Sequence, residues 1–222
     1  MKIKIQKFIA DSGYCSRRKA EDLILEKKVK VNKKFAAIGM RVDNKDTVVV
    51  EGKLITPKKD PLYIALHKPK GYVCTNKETP QEKNIFSLIN IEERLFVVGR
   101  LDKDSRGLVL LTNDGDFAYK LTHPSFSHEK EYEVELSKDV NEEIKDKLKK
   151  GVDIKERSLA KMKEIERIKP KKYRVVLTEG KRRQIRRMFE VFGCTVLDLK
   201  RVRIDKYNLG KLKEKAWIFI KK

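Results

Sequence analysis

The fold is constrained most strongly by the segment Val98–Gly115, in which a polar loop is enclosed by apolar residues. The runs Leu95–Val98 and Leu108–Leu111 are short and apolar, and they predict two buried strands. Gly99 and Gly107 stand at the two edges of the loop. A loop between two buried strands is held rigidly, so a carboxylate within it is well placed for chemistry.

Elsewhere the chain carries more strand patterns than helical ones. Helices are predicted at Ile5–Ile9, at Ala20–Ile24 after the N-cap Ser16, at Ile144–Leu148, and at Ile185–Phe192. Strands are predicted at Val29–Val31, Val48–Val50, Tyr63–Leu66, Glu131–Leu136, Tyr173–Leu177, Thr195–Ile204 and Trp217–Ile220. Because strands outnumber helices and several are consecutive, we expect an α+β fold with a largely antiparallel sheet.

A linker is predicted at Thr56–Pro61, which contains two prolines and mixed charges. The 222 residues are enough for two domains of unequal size. We therefore expect residues 1–60 to form a small domain with its linker, and residues 61–222 to form a larger second domain.

The charge balance points to a polyanionic partner. Lys and Arg number 54 against 33 Asp and Glu, which gives a formal net charge of +21. Residues 1–60 hold 16 basic and 8 acidic side chains, and Lys181–Arg187 holds five cations and no acid. A charge excess of this size is relieved by nucleic acid, although generally Lys-rich, solvated surfaces would give the same total.

Three cations crowd the first turn of the second predicted helix. Arg17, Arg18 and Lys19 directly follow the N-cap Ser16. The helix dipole disfavours positive charge at this end, so the placement makes sense if a phosphate binds there. Three solvated surface residues are an equally good interpretation of this pattern alone.

The sequence predicts a reduced, cytoplasmic protein without a membrane span. No apolar run approaches the ~18 residues that a transmembrane helix requires, and the first residues lack the apolar core of a signal peptide. Cys15, Cys74 and Cys194 lie far apart, which excludes a disulfide framework and a CxxC zinc cluster.

Two carboxylates of the polar loop are candidates for catalysis or metal binding. Asp102 and Asp104 lie among Arg100, Lys103 and Arg106, whose charges neutralise them. No cluster of His or Glu completes a set of metal ligands. We therefore expect no metal, and the loop alone is weak evidence for any one chemistry.

Several motifs in order along the whole chain carry a resemblance to a known family. They are Lys68–Tyr72, Gly99–Asp102, Gly107–Leu108, Leu111–Gly115, Lys130–Tyr132, Glu179–Met188, and the segment from Gly193 through Leu199 to Arg201. Together they resemble the RsuA/RluB group of bacterial ribosomal-RNA pseudouridine synthases. Residues 1–48 resemble the small α-L RNA-binding module, so the second domain is expected to be the pseudouridine synthase domain, with a mostly antiparallel mixed sheet and flanking helices.

The resemblance implies a cofactor-free isomerisation, in which uracil leaves its ribose, turns, and is rejoined through C5. It implies that Asp102 is the catalytic carboxylate and that Arg186 is its ion-pair partner. It also implies that Tyr132 stacks on the displaced base and helps to remove the C5 proton. Leu199 is expected to pack against the base, although a core leucine would look the same. We expect neither a cofactor nor a metal.

The implied substrate is a uridine in a structured stem-loop of ribosomal RNA, either naked or in a ribosome-assembly intermediate. The uridine must be flipped out of its stack to be reached. Contacts to the substrate are expected from Arg100, Arg106, Arg182, Arg183 and Arg187, and contacts from the first domain are expected from Arg17, Arg18 and Lys19. The motifs at residues 15–18, 36–39 and 180–187 look closer to large-subunit members. A monomer is expected.

Two other functions remain open at this point. A non-catalytic RNA-binding or ribosome-assembly factor could retain the same scaffold. A metal-dependent nuclease could use Asp102 and Asp104. His67, His123 and His128 are not required by the isomerisation, and we expect them to be structural or surface residues.

Overall fold

The computed structural model describes residues 2–56, 60–76 and 80–222, and these form two compact units. The first consists of residues up to Leu62 together with Ile91–Phe96 and Thr112–Gly115. The second consists of Tyr63–Asn90, Val97–Leu111 and Asp116–Lys222. The central part of the predicted linker, residues 57–59, lies outside the described residues.

The first unit combines two helices with six short strands. The helices are α1 (Ile5–Asp11) and α2 (Arg17–Leu25). The strands are β1 (Ile3–Lys4), β2 (Val29–Val31), β3 (Lys34–Phe35), β4 (Arg41–Val42), β5 (Val48–Val50) and β6 (Lys53–Ile55). Antiparallel pairing gives a sheet of order β3-β2-β5-β6, and β1 pairs with β4.

The core of this unit follows from the spacing of its apolar residues. Ile5, Phe8 and Ile9 lie on one face of α1 and are buried against the apolar face of α2, which contains Leu23. Ser16 accepts a hydrogen bond from the backbone N–H of Lys19 at 3.1 Å, as the predicted N-cap should. Both helices predicted for this region are confirmed.

The second unit contains most of the strands. The helices are α3 (Gly115–Thr122), α4 (Glu142–Lys150) and α5 (Gln184–Glu190), with 3₁₀ turns at Ile85–Leu88 and Pro124–Phe126. The strands are β7 (Tyr63–Lys68), β8 (Tyr72–Val73), β9 (Lys83–Asn84), β10 (Phe96–Val98), β11 (Arg106–Thr112), β12 (Lys130–Leu136), β13 (Glu164–Lys169), β14 (Lys172–Leu177), β15 (Val196–Ile204), β16 (Tyr207–Asn208) and β17 (Trp217–Phe219).

Nine of these strands form one mixed sheet of order β13-β14-β12-β15-β11-β7-β17, with β10 beside β11 and β16 beside β15. Pairing is antiparallel from β13 to β15 and between β7 and β17, whereas β11 and β15 run parallel. The predicted α+β class with a largely antiparallel sheet is confirmed. None of the helices within the described ranges is long and apolar enough to cross a membrane.

Three of the longer elements differ from the sequence prediction, and the short strands β1, β3, β4, β6, β8, β9 and β16 were not predicted either. The helix α3 was not predicted, because Asn113–Asp116 reads equally well as a turn. Helix α5 ends at Glu190, so Phe192 is half-buried beyond the helix rather than on its apolar face. Strand β13 was missed because its six residues are mostly charged, and it needs little apolar surface at the edge of the sheet.

Gly107 allows β11 and β15 to approach each other at the start of the parallel pair. It lies opposite Arg201 and has a φ of +112°, which L side chains rarely adopt. A Cβ atom at this position would lie 2.2 Å from the carbonyl oxygen of Arg201 and 2.5 Å from its nitrogen. Only glycine fits here, because both contacts are to backbone atoms that cannot move aside alone.

We expect Gly107→Ala to lower the free energy of unfolding by about 2–5 kcal/mol, through overpacking and backbone strain. Equilibrium denaturation in urea measures this change. Gly180→Ala is the matched control, because no atom lies within 4 Å of its Cβ position and its φ is not in the strained range. Equal stabilities of the two variants would contradict the steric argument.

Candidate active site

The second unit contains a cleft of about 780 Å³ beside the polar loop that joins β10 to β11. The loop lines it together with side chains from β12, β15 and the N-terminal end of α5. Asp102, Tyr132 and Leu199 are among the lining residues. Residues that are 97 positions apart in the chain therefore meet at one cleft.

Asp102 is half-buried and is one of the residues that line the cleft. Its backbone carbonyl accepts hydrogen bonds from Lys68 Nζ at 3.0 Å and from the N–H of Ser105 at 3.1 Å. Its carboxylate forms no ion pair with any residue in the described ranges. The loop is thus held through its backbone, and the acidic group is left for a ligand.

Lys68, at the end of β7, is fully buried beneath this loop. Its ammonium donates to the carbonyl oxygens of Ser105 (2.5 Å), Asp102 (3.0 Å), Pro69 (3.1 Å) and Lys103 (3.4 Å). Burial lowers the pKa of Lys68 to about 8, so the side chain is still protonated at neutral pH and retains its three donors.

Arg201, on β15, supports the other side of the loop and is only 1% exposed. Its guanidinium donates to the carbonyl oxygens of Gly99 (2.5 Å), Leu108 (2.8 Å) and Arg100 (3.5 Å). All three acceptors are backbone groups of the loop or its flanking strand. Two buried cations therefore donate hydrogen bonds to backbone carbonyl groups along the loop.

Tyr132 and Leu199 come from adjacent strands of the sheet. They are 7% and 6% exposed, and both line the cleft. Tyr132 lies opposite Arg201, and Val134 lies opposite Leu199 in the antiparallel pair of β12 and β15. A register shift between Glu131 and Tyr132 interrupts the regular pairing just before the tyrosine. An aromatic and an aliphatic wall of this kind suit a planar base.

Arg186 does not pair with Asp102, contrary to the expectation from the motif. It donates to the carbonyl oxygens of Val196 at 2.8 Å and Asp104 at 3.1 Å, and its Nε lies 3.3 Å from a carboxylate oxygen of Asp104. Arg183 also binds both oxygens of Asp104, at 3.1 and 3.2 Å. The acidic partner of these arginines is therefore two residues further along the loop than predicted.

The charges of this cluster reinforce one another. Burial alone would raise the pKa of Asp104, but hydrogen bonds from Arg183 and the charge of Arg186 hold it below its ordinary value. Asp104, and more weakly Asp102, raise the pKa of the Arg183 guanidinium. The charge of Asp102 therefore acts on Arg183, the residue that precedes α5.

The other arginines expected at the substrate divide into two groups. Arg100, Arg182 and Arg183 line the cleft. Arg106 and Arg187 are not among the residues that line the cleft. Each forms hydrogen bonds with acidic side chains outside it.

Arg106 instead lies in a second, smaller cleft of about 390 Å³. It binds both oxygens of Asp198, at 2.8 to 3.2 Å, and Glu214 at 3.3 Å. Burial alone would raise the pKa of Asp198, but Arg106 and Lys70 lower it to about 2. Arg187 donates to Glu156 at 2.7 Å and to the carbonyl of Ile154.

In the first unit, the three cations predicted to bind phosphate are all exposed. Arg17 and Arg18 begin α2, and Lys19 follows them in its first turn. Helix α2 has no acidic residue in its first turn. The positive end of the helix dipole and three cations thus share one exposed surface.

Sequence reasoning missed several residues of the cleft. Lys130 lines it, and burial and the charge of Arg201 lower the pKa of this lysine. Gln184 is buried in its wall. His123 and His128, which were expected to be structural or surface residues, also line the cleft. Their position could have been predicted, because His123 and His128 lie within eight residues before the Lys130–Tyr132 motif.

The carboxylates of the loop do not form a shared metal site in this structure. Both oxygens of Asp104 accept hydrogen bonds from Arg183. Within the described ranges, no group of three or more His, Cys, Asp or Glu side chains is arranged to hold a metal ion.

Comparison with known proteins gives the same assignment for both units. Residues 62–191 match the family model described as RNA pseudouridylate synthase, and residues 3–48 match that of the S4 domain. The chain is 40% identical to the dual-specificity RNA pseudouridine synthase RluF of Escherichia coli (strain K12) over 217 residues, which cover 97% of this chain and 74% of that protein.

The chain is also 39% identical to the ribosomal large subunit pseudouridine synthase B of Bacillus subtilis over 216 residues, which cover 94% of this chain and 88% of that protein. A crystal structure of a pseudouridylate synthase aligns with a TM-score of 0.73 at 28% identity, covering 99% of this chain and 96% of that one. The resemblance found from the motifs is confirmed.

We expect Lys68→Met to lower the free energy of unfolding by about 2–4 kcal/mol, because four carbonyl groups lose a charged donor. Urea denaturation measures this loss. Lys70→Met is the matched control, since Lys70 is largely exposed and pairs with Asp198 at 2.7 Å. We expect that variant to change stability by less than about 1 kcal/mol. A larger loss in Lys70→Met would contradict the assigned role of Lys68.

Proposed function

This chain belongs to the RNA pseudouridylate synthase family and isomerises uridine to pseudouridine in RNA, and we propose that its substrate is large-subunit ribosomal RNA. The relative from Bacillus subtilis, named for the large ribosomal subunit, supports this choice. The observation that carries the proposed mechanism concerns Asp102, which lines a cleft with Tyr132 and Leu199 and whose carboxylate has no ion-pair partner among the described residues.

The reaction conserves all atoms of the nucleotide. The bond between N1 and C1′ breaks, the uracil turns within the site, and a bond forms between C5 and C1′. The proton on C5 leaves, and N1 takes up a proton. Because nothing is added or oxidised, the chemistry requires a carboxylate, a base for the C5 proton and a closed pocket.

Asp102 supplies the carboxylate in this proposal. It acts either as the nucleophile or as an electrostatic stabiliser, at the sugar or at the ring. Lys68 and Arg183 attract its negative charge, as their mutual electrostatic interactions indicate. The backbone bonds to Lys68 and Arg201 hold the loop so that the carboxylate needs little reorganisation on binding.

Tyr132 and Leu199 hold the displaced base in this proposal. The ring of Tyr132 stacks on the uracil, and its phenol is placed to help remove the C5 proton. Leu199 packs against the base. The two side chains are buried on neighbouring strands, so their positions are set by the sheet rather than by a mobile loop.

Arginines of the second unit bind the RNA and support the loop. Arg100 and Arg182 line the cleft and contact phosphates around the flipped nucleotide in this proposal. Arg183 lines the cleft as well, with its guanidinium bound to Asp104. Arg186 acts differently from the expected ion pair with Asp102. It ties Asp104 to α5 and positions the loop, which makes it a positioning residue.

The N-terminal S4 domain adds affinity through Arg17, Arg18 and Lys19. Contacts of this kind bind phosphates and carry little sequence information. A structured stem of ribosomal RNA presents such phosphates, either free or in an assembly intermediate. This substrate implies that the protein works in the bacterial cytoplasm.

Pseudouridine mapping on unmodified ribosomal RNA tests the function. We expect the wild-type protein to modify large-subunit RNA, and Asp102→Asn to reduce the rate at least about 1,000-fold, since it removes the reactive carboxylate. Asp146→Asn, in the exposed part of α4, is the matched control and should keep the full rate.

Two outcomes would contradict this reading. Unchanged pseudouridine formation by Asp102→Asn would show that another group performs the chemistry. Modification of small-subunit RNA or transfer RNA alone would leave the reaction intact but overturn the proposed substrate.

Removing the cations of the S4 domain should change the salt dependence of binding. We expect Arg17→Ala and Arg18→Ala each to weaken RNA binding and to reduce the slope of log K against log salt by about 0.7–0.9. The measurement is a titration of labelled ribosomal RNA at several salt concentrations. Lys45→Ala removes one exposed charge from a turn of the same domain and is the control. Identical slopes for all three variants would show that Arg17 and Arg18 make no phosphate contact.

A further inference from the structure

We propose that four rings between Tyr119 and His128 form a stacking platform for an unpaired nucleobase next to the target uridine. The inference rests on the proposed function, because it places a second base of the same RNA beside the reacting one. It assigns a role to side chains that the isomerisation itself does not use.

The four rings form one continuous cluster. The centroids of Tyr119 and His123 lie 4.7 Å apart, and those of Tyr119 and Phe126 lie 6.0 Å apart. Phe126 is stacked on His128 at 6.1 Å, with an angle of 24° between the rings. Tyr119 is nevertheless 53% exposed and Phe126 is 46% exposed. Large apolar rings that remain exposed in an ordered cluster indicate a binding surface.

The cluster is continuous with the cleft that holds Asp102. His123, Pro124 and His128 line this cleft and also belong to, or adjoin, the ring cluster. A nucleotide that enters the cleft therefore brings its neighbour in the strand towards Phe126 and Tyr119. The platform therefore adjoins the cleft through His123, Pro124 and His128.

Two of the rings are held in fixed orientations. His123 caps the 3₁₀ turn Pro124–Phe126, with its Nδ1 lying 2.7 Å from Ser125 Oγ and accepting from the Ser125 N–H at 3.3 Å. The Nδ1 of His128 lies 3.0 Å from a carboxylate oxygen of Asp205. The platform is therefore formed before RNA binds, which reduces the entropy lost on stacking.

The charge around the rings favours RNA over an apolar partner. Lys130, Arg182 and Arg183 line the same cleft, and the chain carries a net charge of +21. Cations that follow the backbone and rings that accept base faces are the combination by which proteins bind unpaired nucleic acid. Flipping the target uridine also separates its neighbour from a stacking partner, and the rings replace that partner.

Binding of a fluorescent oligonucleotide by the full-length protein tests this proposal without requiring catalysis. The probe is a single-stranded oligouridylate of about 12 nucleotides that contains one 2-aminopurine, whose fluorescence is quenched when it stacks on a ring. The variants are Tyr119→Leu and Phe126→Leu, which keep an apolar side chain but remove the π face. Phe126→Trp restores an aromatic face, and Phe219→Leu, at an exposed ring on β17, is the control.

We expect quenching by the wild type, by Phe126→Trp and by Phe219→Leu. We expect Tyr119→Leu and Phe126→Leu to lose quenching and to bind about tenfold more weakly. Equal quenching and affinity in Phe126→Leu and the wild type would overturn the platform. Loss of quenching in Phe219→Leu to the same extent would also overturn it, since the effect would then not be local.

Failure of the platform and failure of the proposed function are distinguishable. If the wild type forms pseudouridine but Phe126→Leu keeps both its quenching and its KM, only the platform is wrong. If the wild type forms no pseudouridine in ribosomal RNA but Tyr119→Leu and Phe126→Leu lose quenching, the platform holds and the proposed function fails.

Discussion

The site depends on two buried cations that bind backbone carbonyls instead of acids. Lys68 and Arg201 together donate hydrogen bonds to carbonyl groups from Gly99 to Leu108. Burying such charges is costly unless every donor is used, so the arrangement specifies one loop conformation. Gly107 belongs to the same constraint, because β15 can bring Arg201 beneath the loop only where β11 has no Cβ.

This support leaves the acidic side chains of the loop free to take different roles. Asp104 engages Arg183 and Arg186 and connects the loop to α5. Asp102, two residues earlier, lines the cleft, and its carboxylate forms no ion pair with the described residues. Because one carboxylate neutralises the arginines, the other can face an RNA substrate while the surroundings stay positive enough to attract phosphates. The proposed ring platform extends the same cleft with side chains that carry no negative charge.

Much of the fold was predictable because it follows from local patterns. Ser16 caps α2 as its residue type and position indicate, and Ile185, Met188 and Phe189 are buried on one face of α5. Strand β13 and helix α3 could not be predicted in this way. They are stabilised by neighbouring strands and by the core rather than by a recognisable hydrophobic pattern in their own residues. The positions of His123 and His128 at the cleft were not predicted for a similar reason, since a cleft forms only in the folded domain.

The sequence by itself determined the family, the α+β class and several of the residues that line the cleft, because motifs and hydrophobic periodicity can be recognised along the chain. Asp102, Tyr132 and Leu199 were all identified in this way, and their catalytic roles stay predictions. Only the tertiary structure decided which charges pair. Arg186 pairs with Asp104, and Arg106 pairs with Asp198. The partner of a long side chain depends on distance and direction in three dimensions. Spacing along the chain does not encode either quantity.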